Sequence, residues 1–419
     1  MLSTTVNSPA GEAKRQGEAT SKTRLFDVVV IGGFGRVGLP LAITFAAKGK
    51  RVCALDIDTE RLATIGAGKM PFKERGCQEL LVAALEKGNL QLSVDPRVVS
   101  EADVVIFVVG TPVDRHLNPE LGPLQAVLEA YLDYMVDGQL IILRSTVYPG
   151  TTDQLKRWIG ACGVDVELAF CPERIAEGHA AEELCTLPQI ISSYSDDGLR
   201  RCTDLFTALG SEVVVLSPIE AELAKLFSNV WRYTLFATAN HFFMISNDHD
   251  ADFHRIHHAM TYKYPRVQDM PKPGFAAGPC LFKDAMQLVA FDNNHFSLGH
   301  AAMLVNEGLP NYLVARLKMQ YDLCAMTVGI LGMTFKGDSD DKRDSLSYKL
   351  RKIFAFESAA VLCSDPYLDE AGFVGPDELI SRSDVIVLAT PHREYRSLRV
   401  PADKIVVDIW NVWGNGCKI

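Results

Sequence analysis

The feature that most constrains the fold is a glycine turn between a short apolar strand and an apolar helix. Residues 27–31 read DVVVI, a β-branched run typical of a strand buried on both faces of a parallel sheet. GGFGRVG follows at once, with Gly33, Gly35 and Gly38 spaced as Gly-x-Gly-x-x-Gly, and an apolar stretch then ends at Gly49. This order predicts a βαβ unit in which a helix N-terminus attracts a pyrophosphate.

The turn and the second strand together predict the cofactor. Gly33 permits the tight turn, Gly35 lets the backbone approach the pyrophosphate, and Gly38 lets the helix pack closely on the strand. A second strand at 51–56 ends in Asp56, whose carboxylate would accept hydrogen bonds from a ribose diol and repel a 2′-phosphate. NAD is therefore expected rather than NADP, with cofactor contacts from Gly33, Phe34, Gly35, Arg36, Val37, Gly38 and Asp56.

Two further predicted strands end in small polar residues. Strand 102–112 closes with Gly-Thr-Pro, and strand 139–146 closes with Arg-Ser-Thr ahead of VYPGT. Ligands of open α/β sheets bind in the crevice outside the carboxyl ends of the strands. The residues expected to meet the cofactor or the carbinol of a substrate are Thr111, Pro112, Ser145 and Thr146.

The C-terminal third repeats this order of elements. Segments 328–335, 361–365 and 383–391 echo the first strand and turn, the second strand, and the strand that ends in Thr-Pro. The echo keeps only Gly329 and Gly332 of the glycine pattern, so this half is expected to bind something other than a second dinucleotide.

The repeat predicts an α/β fold with two Rossmann-like, doubly wound parallel-sheet domains joined by a central helical domain. The predicted boundaries are a disordered tail at 1–24, an NAD-binding domain at 25–216, a helical domain at 217–321 and a second Rossmann-like domain at 322–419.

Composition excludes several classes of protein. The chain has 42 basic and 52 acidic side chains, a net charge of −10, which argues against a nucleic-acid partner. It contains no apolar run of about 20 residues, so no membrane span is expected. Its ten cysteines form no CxxC pair, and the N-terminal residues resemble no secretory signal, which together favour a reducing cytoplasm.

Four segments carry candidate reactive side chains. Glu173 comes just after a predicted strand, and Lys225 and Asn229 lie four residues apart on one face of a predicted helix. Cys280 lies in a glycine-containing loop that opens a helix, whose N-terminus would lower the pKa of the thiol. The fourth segment, 335–345, is a charged loop at the first turn of the C-terminal half. Taken singly, each has an ordinary alternative: a small buried hydrophobe for the cysteine, and solvated surface groups for the charges.

A histidine cluster suggests a different chemistry. His254, His257 and His258 are spaced so that they share one helical face, an arrangement that can bind a metal. No HExxH pattern is present, so we interpret the segment as a solvated or interface helix and predict no metal site.

The segments, taken together and in order from about Leu25, resemble the UDP-glucose/GDP-mannose dehydrogenase family. The family's S-T-V-x-P-G-T, P-E-x-x-A-E-G and A-E-L-x-K-L-x-x-N motifs match 145–151, 172–178 and 221–229. Its G-F-x-x-G-x-C-x-x-K-D and F-K-x-D-x-x-D-x-R motifs match 274–284 and 335–343. The chain departs from the usual pattern at Cys171, Pro279 and Phe282. A stiff Pro279 would reshape the loop that holds the sugar, which puts the identity of the sugar in doubt more than the reaction, and Cys171 would alter hydrogen bonding near the thioester.

The resemblance implies NAD-dependent, four-electron oxidation of the C6 alcohol of a nucleotide sugar, without a metal. Cys280 would form a thiohemiacetal and then a thioester, Lys225 and Asn229 would stabilise the oxyanion, and Glu173 or Asp284 would activate water positioned by Thr146. Glu177 and Arg343 are added to the expected cofactor contacts. The expected substrate contacts are Glu173, Arg174, Lys225, Asn229, Phe275, Gly278, Phe335 and Lys336.

The resemblance also leaves alternatives open. The C-terminal half would hold the nucleotide, and the central helices would form a homodimer. UDP-glucose is the first expectation for the substrate, followed by UDP-N-acetylhexosamines and then GDP-mannose. Two other classes are a two-electron hydroxy-acid dehydrogenase, which would need neither Cys280 nor a second Rossmann-like half, and a non-catalytic nucleotide-sugar binder, expected to have lost Cys280, Lys225 or Asp284.

Overall fold

The computed structural model describes residues 24–111, 122–416 and 418–419. The predicted tail, up to residue 23, and Pro112 lie outside this part of the chain. In the N-terminal part the strands are β1 Phe26–Ile31, β2 Val52–Leu55, β3 Leu90–Ser93, β4 Ala102–Phe107, β5 Leu140–Leu143, β6 Glu167–Phe170, β7 Gln189–Ser193 and β8 Val213–Val215. The helices are α1 Gly38–Ala47, α2 Thr59–Gly66, α3 Cys77–Glu86, α4 Gly122–Leu132, α5 Thr151–Ala161, α6 Ala180–Thr186 and α7 Asp196–Thr207.

These strands form one sheet in the order β3-β2-β1-β4-β5-β6-β7-β8. Strand β1 is buried on both faces, as predicted: Val28 and Val30 pack on one side of the sheet, and Val29 and Ile31 on the other. The strand order reverses between β1 and β4, which opens the crevice at the carboxyl edge where the glycine turn lies.

The sheet is parallel from β3 to β6, but β7 pairs with β6 in the antiparallel direction. The prediction of a doubly wound sheet is confirmed, with this mixed edge as an addition. Because an antiparallel strand starts at the carboxyl edge of its parallel neighbour, the chain between β6 and β7 does not cross the sheet. The Glu173 segment therefore stays at the edge where the cofactor is expected.

The central section is helical, with α8 Pro218–Asp248, α9 Phe253–Thr261, α10 Leu281–Phe291 and α11 Ser297–Gln320. Helix α8 starts at a capping box formed by Ser217 and Glu220, with Pro218 in the first turn, where its missing N–H costs nothing. Helices α10 and α11 both pack against α8. No helix within the described ranges is both long and apolar enough to span a bilayer.

The C-terminal part confirms the internal echo. Its elements are β9 Thr327–Leu331, α12 Leu346–Glu357, β10 Ala360–Ser364, α13 Pro376–Arg382, β11 Val385–Leu388 and β12 Ile405–Val407. The strands form a parallel sheet in the order β10-β9-β11-β12, which repeats the arrangement of β2, β1, β4 and β5. The loop from β9 to α12 thus corresponds to the glycine turn of the first half.

Candidate active site

The glycine turn has the geometry that a dinucleotide needs. A Cβ on Gly33 would lie 2.7 Å from the carbonyl oxygen of Val30, and one on Gly38 would overlap the carbonyl oxygen of Gly32, so packing alone requires both glycines. At Gly35 the protein leaves more room, since the nearest atom would be 3.3 Å away. Close approach of a ligand is the remaining reason for a glycine there, which fits a bound pyrophosphate.

Asp56 lies beside this turn, where the sequence predicts it. Its Oδ2 accepts a hydrogen bond from the backbone N–H of Phe34 at 3.0 Å, and its Oδ1 accepts one from Ile57 at 2.8 Å. These two bonds hold the carboxylate at the end of β2, next to the start of α1, where a ribose diol would reach it.

The ends of β4 and β5 meet at the same edge. The Oγ of Ser145 accepts a hydrogen bond from the backbone N–H of Val109 at 2.8 Å, and the hydroxyl of Thr111 donates to the carbonyl of Thr146 at 2.6 Å. Thr111 also accepts hydrogen bonds from the ammonium of Lys283 at its hydroxyl, 3.1 Å, and at its carbonyl, 3.2 Å. Lys283, which the sequence reasoning did not single out, therefore ties the cofactor domain to α10.

The four predicted residues of the reactive cluster come together between α8 and α10. Cys280 is the N-cap of α10 and reaches solvent, whereas Asp284, one turn later, is fully buried. The amide of Asn229 donates to Asp284 Oδ2 at 2.6 Å, and Lys225, one turn before it on α8, is also buried. Asp284 Oδ1 accepts no hydrogen bond from the described residues, and its nearest cation is Lys283 Nζ at 3.3 Å.

The electrostatics of this cluster correct one sequence expectation. The pKa of Cys280 is raised above its ordinary value, not lowered, because desolvation and the Asp284 carboxylate outweigh the opposing effect of Lys225, Lys283 and Arg343. Burial lowers the pKa of Lys225, an effect that Asp284 and Cys280 partly offset. Burial is the largest of the effects that raise the pKa of Cys280, and the Asp284 carboxylate one turn later is the second.

Glu173 is buried and fully engaged. Its Oε2 lies 2.7 Å from a terminal nitrogen of Arg144, and its Oε1 accepts hydrogen bonds from the backbone N–H groups of Arg174 and Ile175 at 2.7 and 3.0 Å. The Arg174 side chain donates to the carbonyl of Pro188, and burial lowers its pKa. The sequence reasoning missed Arg144, whose only signal was an arginine directly after the apolar run of β5.

A second missed residue fixes the cysteine loop. Asn240 on α8 accepts a hydrogen bond from the Gly274 backbone N–H at 2.8 Å and donates to the Gly274 carbonyl at 3.0 Å. Further along the loop, Gly278 has φ +102° and lies against the ring of Phe335, and Phe275 is buried beside the C-terminal sheet. The structure thus brings the three expected substrate contacts of these loops into one region.

The charged loop after β9 lies against the cofactor domain. Lys336 donates to the backbone carbonyl of Glu177, and Arg343 forms a two-pronged ion pair with Asp341, from a terminal nitrogen to Oδ2 at 2.5 Å and from Nε to Oδ1 at 3.0 Å. Arg36, expected on the cofactor, directs its guanidinium to Glu177 at 2.9 Å instead. Contacts of these side chains with a cofactor or a sugar stay predictions.

The histidines of α9 face backbone carbonyls. His254 Nε2 lies 3.0 Å from the carbonyl of Ile409, and His257 Nε2 lies 2.9 Å from that of Met270, while His258 packs against Tyr262. Burial lowers the pKa of His254, so its ring stays neutral more readily. His254 and His257 therefore hold α9 to neighbouring backbone within the chain.

Three domain models of a single family match the chain. The NAD binding domain of the UDP-glucose/GDP-mannose dehydrogenase family matches residues 27–209, its central domain matches 219–308, and its UDP binding domain matches 329–415.

The names of several similar proteins refer to the oxidation of nucleotide sugars. UDP-N-acetyl-D-mannosamine dehydrogenase of Methanococcus aeolicus is 30% identical over 413 residues, covering 93% of this chain and 92% of the relative. A solved UDP-D-ManNAc dehydrogenase from Pyrococcus horikoshii superimposes with a TM-score of 0.84 at 28% identity, covering 91% and 94% of the two chains. A UDP-glucose dehydrogenase from Pyrobaculum islandicum gives 0.85 at 27% identity, covering 94% and 96%. The chain therefore belongs to the UDP-glucose/GDP-mannose dehydrogenase family and is an NAD-binding nucleotide-sugar dehydrogenase.

Proposed function

We propose that this enzyme oxidises the C6 alcohol of a UDP-sugar to a carboxylate through a thioester on Cys280. One water is consumed, and two hydrides and three protons leave the sugar and the water. The observation that carries the proposal is an exposed cysteine residue grouped with the buried Lys225, Asn229 and Asp284. Bound NAD⁺ supplies the acceptor for each hydride.

In the first oxidation the C6 carbon loses a hydride while its hydroxyl loses a proton. We assign stabilisation of the developing alkoxide to the Lys225 ammonium and the Asn229 amide, which lie one helical turn apart on the same buried face of α8. A buried cation acts strongly on such an oxyanion because little water screens it and its position is fixed in advance. The product of this step is the C6 aldehyde.

The second oxidation needs covalent help, because an aldehyde has no second hydride to give until a nucleophile adds to it. The Sγ of Cys280 attacks C6, the thiohemiacetal that forms loses its hydride, and a thioester remains. Since the pKa of Cys280 is raised, its proton needs an acceptor. Asp284 Oδ1 accepts no hydrogen bond from the described residues, and Asp284 follows Cys280 by one turn of α10.

The same carboxylate is our choice for activating the water that hydrolyses the thioester. Both oxygens of Glu173 are already occupied by Arg144 and two backbone N–H groups, which favours a positioning role for Glu173 and leaves Asp284 as the base. The sequence left Glu173 and Asp284 open as the base that activates water, and we propose Asp284.

Among UDP-sugars, we propose a UDP-N-acetylhexosamine, with UDP-N-acetylmannosamine ahead of UDP-glucose. The support is the relative of that name at 30% identity over nearly the whole chain, together with the similar structure from Pyrococcus horikoshii. The structure of the UDP-glucose dehydrogenase from Pyrobaculum islandicum is equally similar in shape, so sequence relatives rather than the fold favour the acetamido sugar.

The test is NADH formed per sugar consumed, measured on UDP-N-acetylmannosamine, UDP-N-acetylglucosamine, UDP-glucose and GDP-mannose. We expect two NADH per sugar, with the highest kcat/KM on UDP-N-acetylmannosamine. One NADH per sugar would replace the thioester route with a simple alcohol dehydrogenase. Binding without turnover on every sugar would favour the non-catalytic class. A higher kcat/KM on UDP-glucose would refute only the choice of sugar.

We also propose a homodimer through α8. Phe227, Trp231, Phe242 and Ile245 are each 40–66% exposed, and at about 100° per residue they fall within an arc of roughly 60° along the helix. A stripe of large exposed apolar side chains marks an interaction surface.

Sedimentation velocity tests this arrangement. We expect a dimer that Trp231→Glu converts to a monomer. Phe356→Glu, at an 88% exposed apolar residue on α12, is the matched control and should stay dimeric. A monomeric wild-type protein, or a dimer that tolerates a charge at Trp231, would contradict the proposal.

A further inference from the structure

Arg36 belongs to the glycine turn, yet its guanidinium binds the loop that follows β9. One terminal nitrogen lies 2.6 Å from Asp340 Oδ1 and 2.9 Å from Glu177 Oε1, and Nε lies 3.7 Å from Asp341 Oδ2. The side chain is only 20% exposed, and its plane lies over the Phe72 ring at 5.1 Å. The charge is therefore shielded from solvent, where an ion pair is screened least.

A second contact holds the same loop to the cofactor domain. The backbone N–H of Lys73 donates to Asp340 Oδ2 at 2.9 Å, so both oxygens of this carboxylate are bound by residues of the N-terminal part. Ser339 donates to Glu177 Oε1 at 2.9 Å from the other direction. Asp340 is thus the residue through which the loop binds both Arg36 and the Lys73 backbone, beside the contacts that Lys336 and Ser339 make with Glu177.

The other side of this loop supports the cysteine loop. The Phe335 ring packs on Gly278, and the carbonyl of Asp344 accepts a hydrogen bond from the Gly278 backbone N–H at 3.3 Å. Cys280 follows two residues later. One loop therefore contacts the cofactor turn through Asp340 and the cysteine loop through Phe335.

We propose that Arg36 is a positioning residue that couples the two ligand sites. Arg36 fixes the β9–α12 loop against the glycine turn. The conformation of the protein that binds the dinucleotide is then also the conformation that binds the nucleotide of the sugar. Each ligand then strengthens the binding of the other, because both stabilise one closed set of contacts. The inference rests on nucleotide binding at the C-terminal half and not on the four-electron reaction.

The experiment is a pair of calorimetric titrations with the full-length enzyme. UDP is titrated into the protein with and without saturating NADH, and the ratio of the two Kd values gives the coupling factor. For wild type we expect a factor within the usual allosteric range, roughly 5- to 150-fold. We expect Arg36→Gln and Asp340→Asn each to bring it near one, and the double variant to add nothing further.

Arg393→Gln is the matched control. It breaks the ion pair that Arg393 makes with Asp338 at 2.9 Å. Asp338 belongs to the same loop as Asp340, but both partners of this pair lie in the C-terminal part. Its coupling factor should equal that of wild type. Asp340→Asn keeps the test valid if Arg36→Gln fails to fold. Wild-type coupling near one would overturn the proposal. So would variants that weaken NADH binding by the same factor with and without UDP, since Arg36 would then be a cofactor contact only.

Discussion

The buried ion pair between Arg144 and Glu173 allows the stability of a variant to be predicted. Arg144 is fully buried, and besides Glu173 it donates to the carbonyl of Cys171 at 3.1 Å and to Gln189 Oε1 at 2.9 Å. Its guanidinium also lies 4.8 Å from the centre of the Phe206 ring. Arg144→Met would keep most of the volume and remove every one of these hydrogen bonds.

The loss of stability in Arg144→Met depends on the Glu173 carboxylate that stays buried without its partner. Breaking a buried ion pair by removing one partner costs about 3–5 kcal/mol, because the other charge stays buried. Two backbone N–H groups still bind Glu173 Oε1, so we expect a value near the lower limit, about 3 kcal/mol. For a domain of this size that lowers the melting temperature by roughly 6–12 °C.

Thermal and urea unfolding of the variants measure this effect. Arg200→Met is the control, because Arg200 is 62% exposed and pairs with the exposed carboxylates of Asp197 and Asp204 on α7. It should change stability by no more than about 0.5 kcal/mol. The double variant Arg144→Met/Glu173→Gln should recover part of the loss, because it removes the unpaired charge. Equal shifts for Arg144→Met and Arg200→Met would refute the reasoning.

Two further predictions concern the cysteine and its loop. The raised pKa of Cys280 means that alkylation of the ligand-free protein by iodoacetamide should increase with pH, with a midpoint above that of free cysteine. Asp284→Asn should lower that midpoint and Lys225→Met should raise it. A midpoint that neither substitution changes would show that these two charges do not control the pKa of Cys280. Gly278→Ala should reduce kcat/KM about tenfold or more, since its φ is +102° and a Cβ would lie 2.5 Å from an aromatic ring. Gly160→Ala, where a Cβ meets nothing within 4 Å, should leave kcat/KM unchanged.

Much of the site follows from local patterns. The order of strand, Gly33-x-Gly35-x-x-Gly38 and helix predicts the turn because packing requires two of those glycines within the chain itself. The spacing of Lys225 and Asn229 predicts a shared face because both lie on one uninterrupted helix. Such features depend on residues that are close in sequence, where periodicity and turn chemistry are informative.

The features that the sequence left out depend on distant contacts. Arg144 gains its role from Glu173, 29 residues later, and Asn240 gains its role from Gly274, 34 residues later. The direction of the Arg36 side chain is set by Asp340, 304 residues later in the sequence. The expected lowering of the Cys280 pKa was wrong because desolvation, the largest of the effects that raise this pKa, appears only in the folded chain.

Trapping the covalent intermediate would show the step at Cys280 itself. The enzyme would be mixed with NAD⁺ and its best UDP-sugar, quenched in acid during turnover, digested, and analysed by mass spectrometry. We expect the peptide containing Cys280 to gain the mass of the sugar-nucleotide acyl group, and Cys280→Ser to give no such adduct and no second NADH. Release of two NADH by Cys280→Ser at the wild-type rate would contradict it.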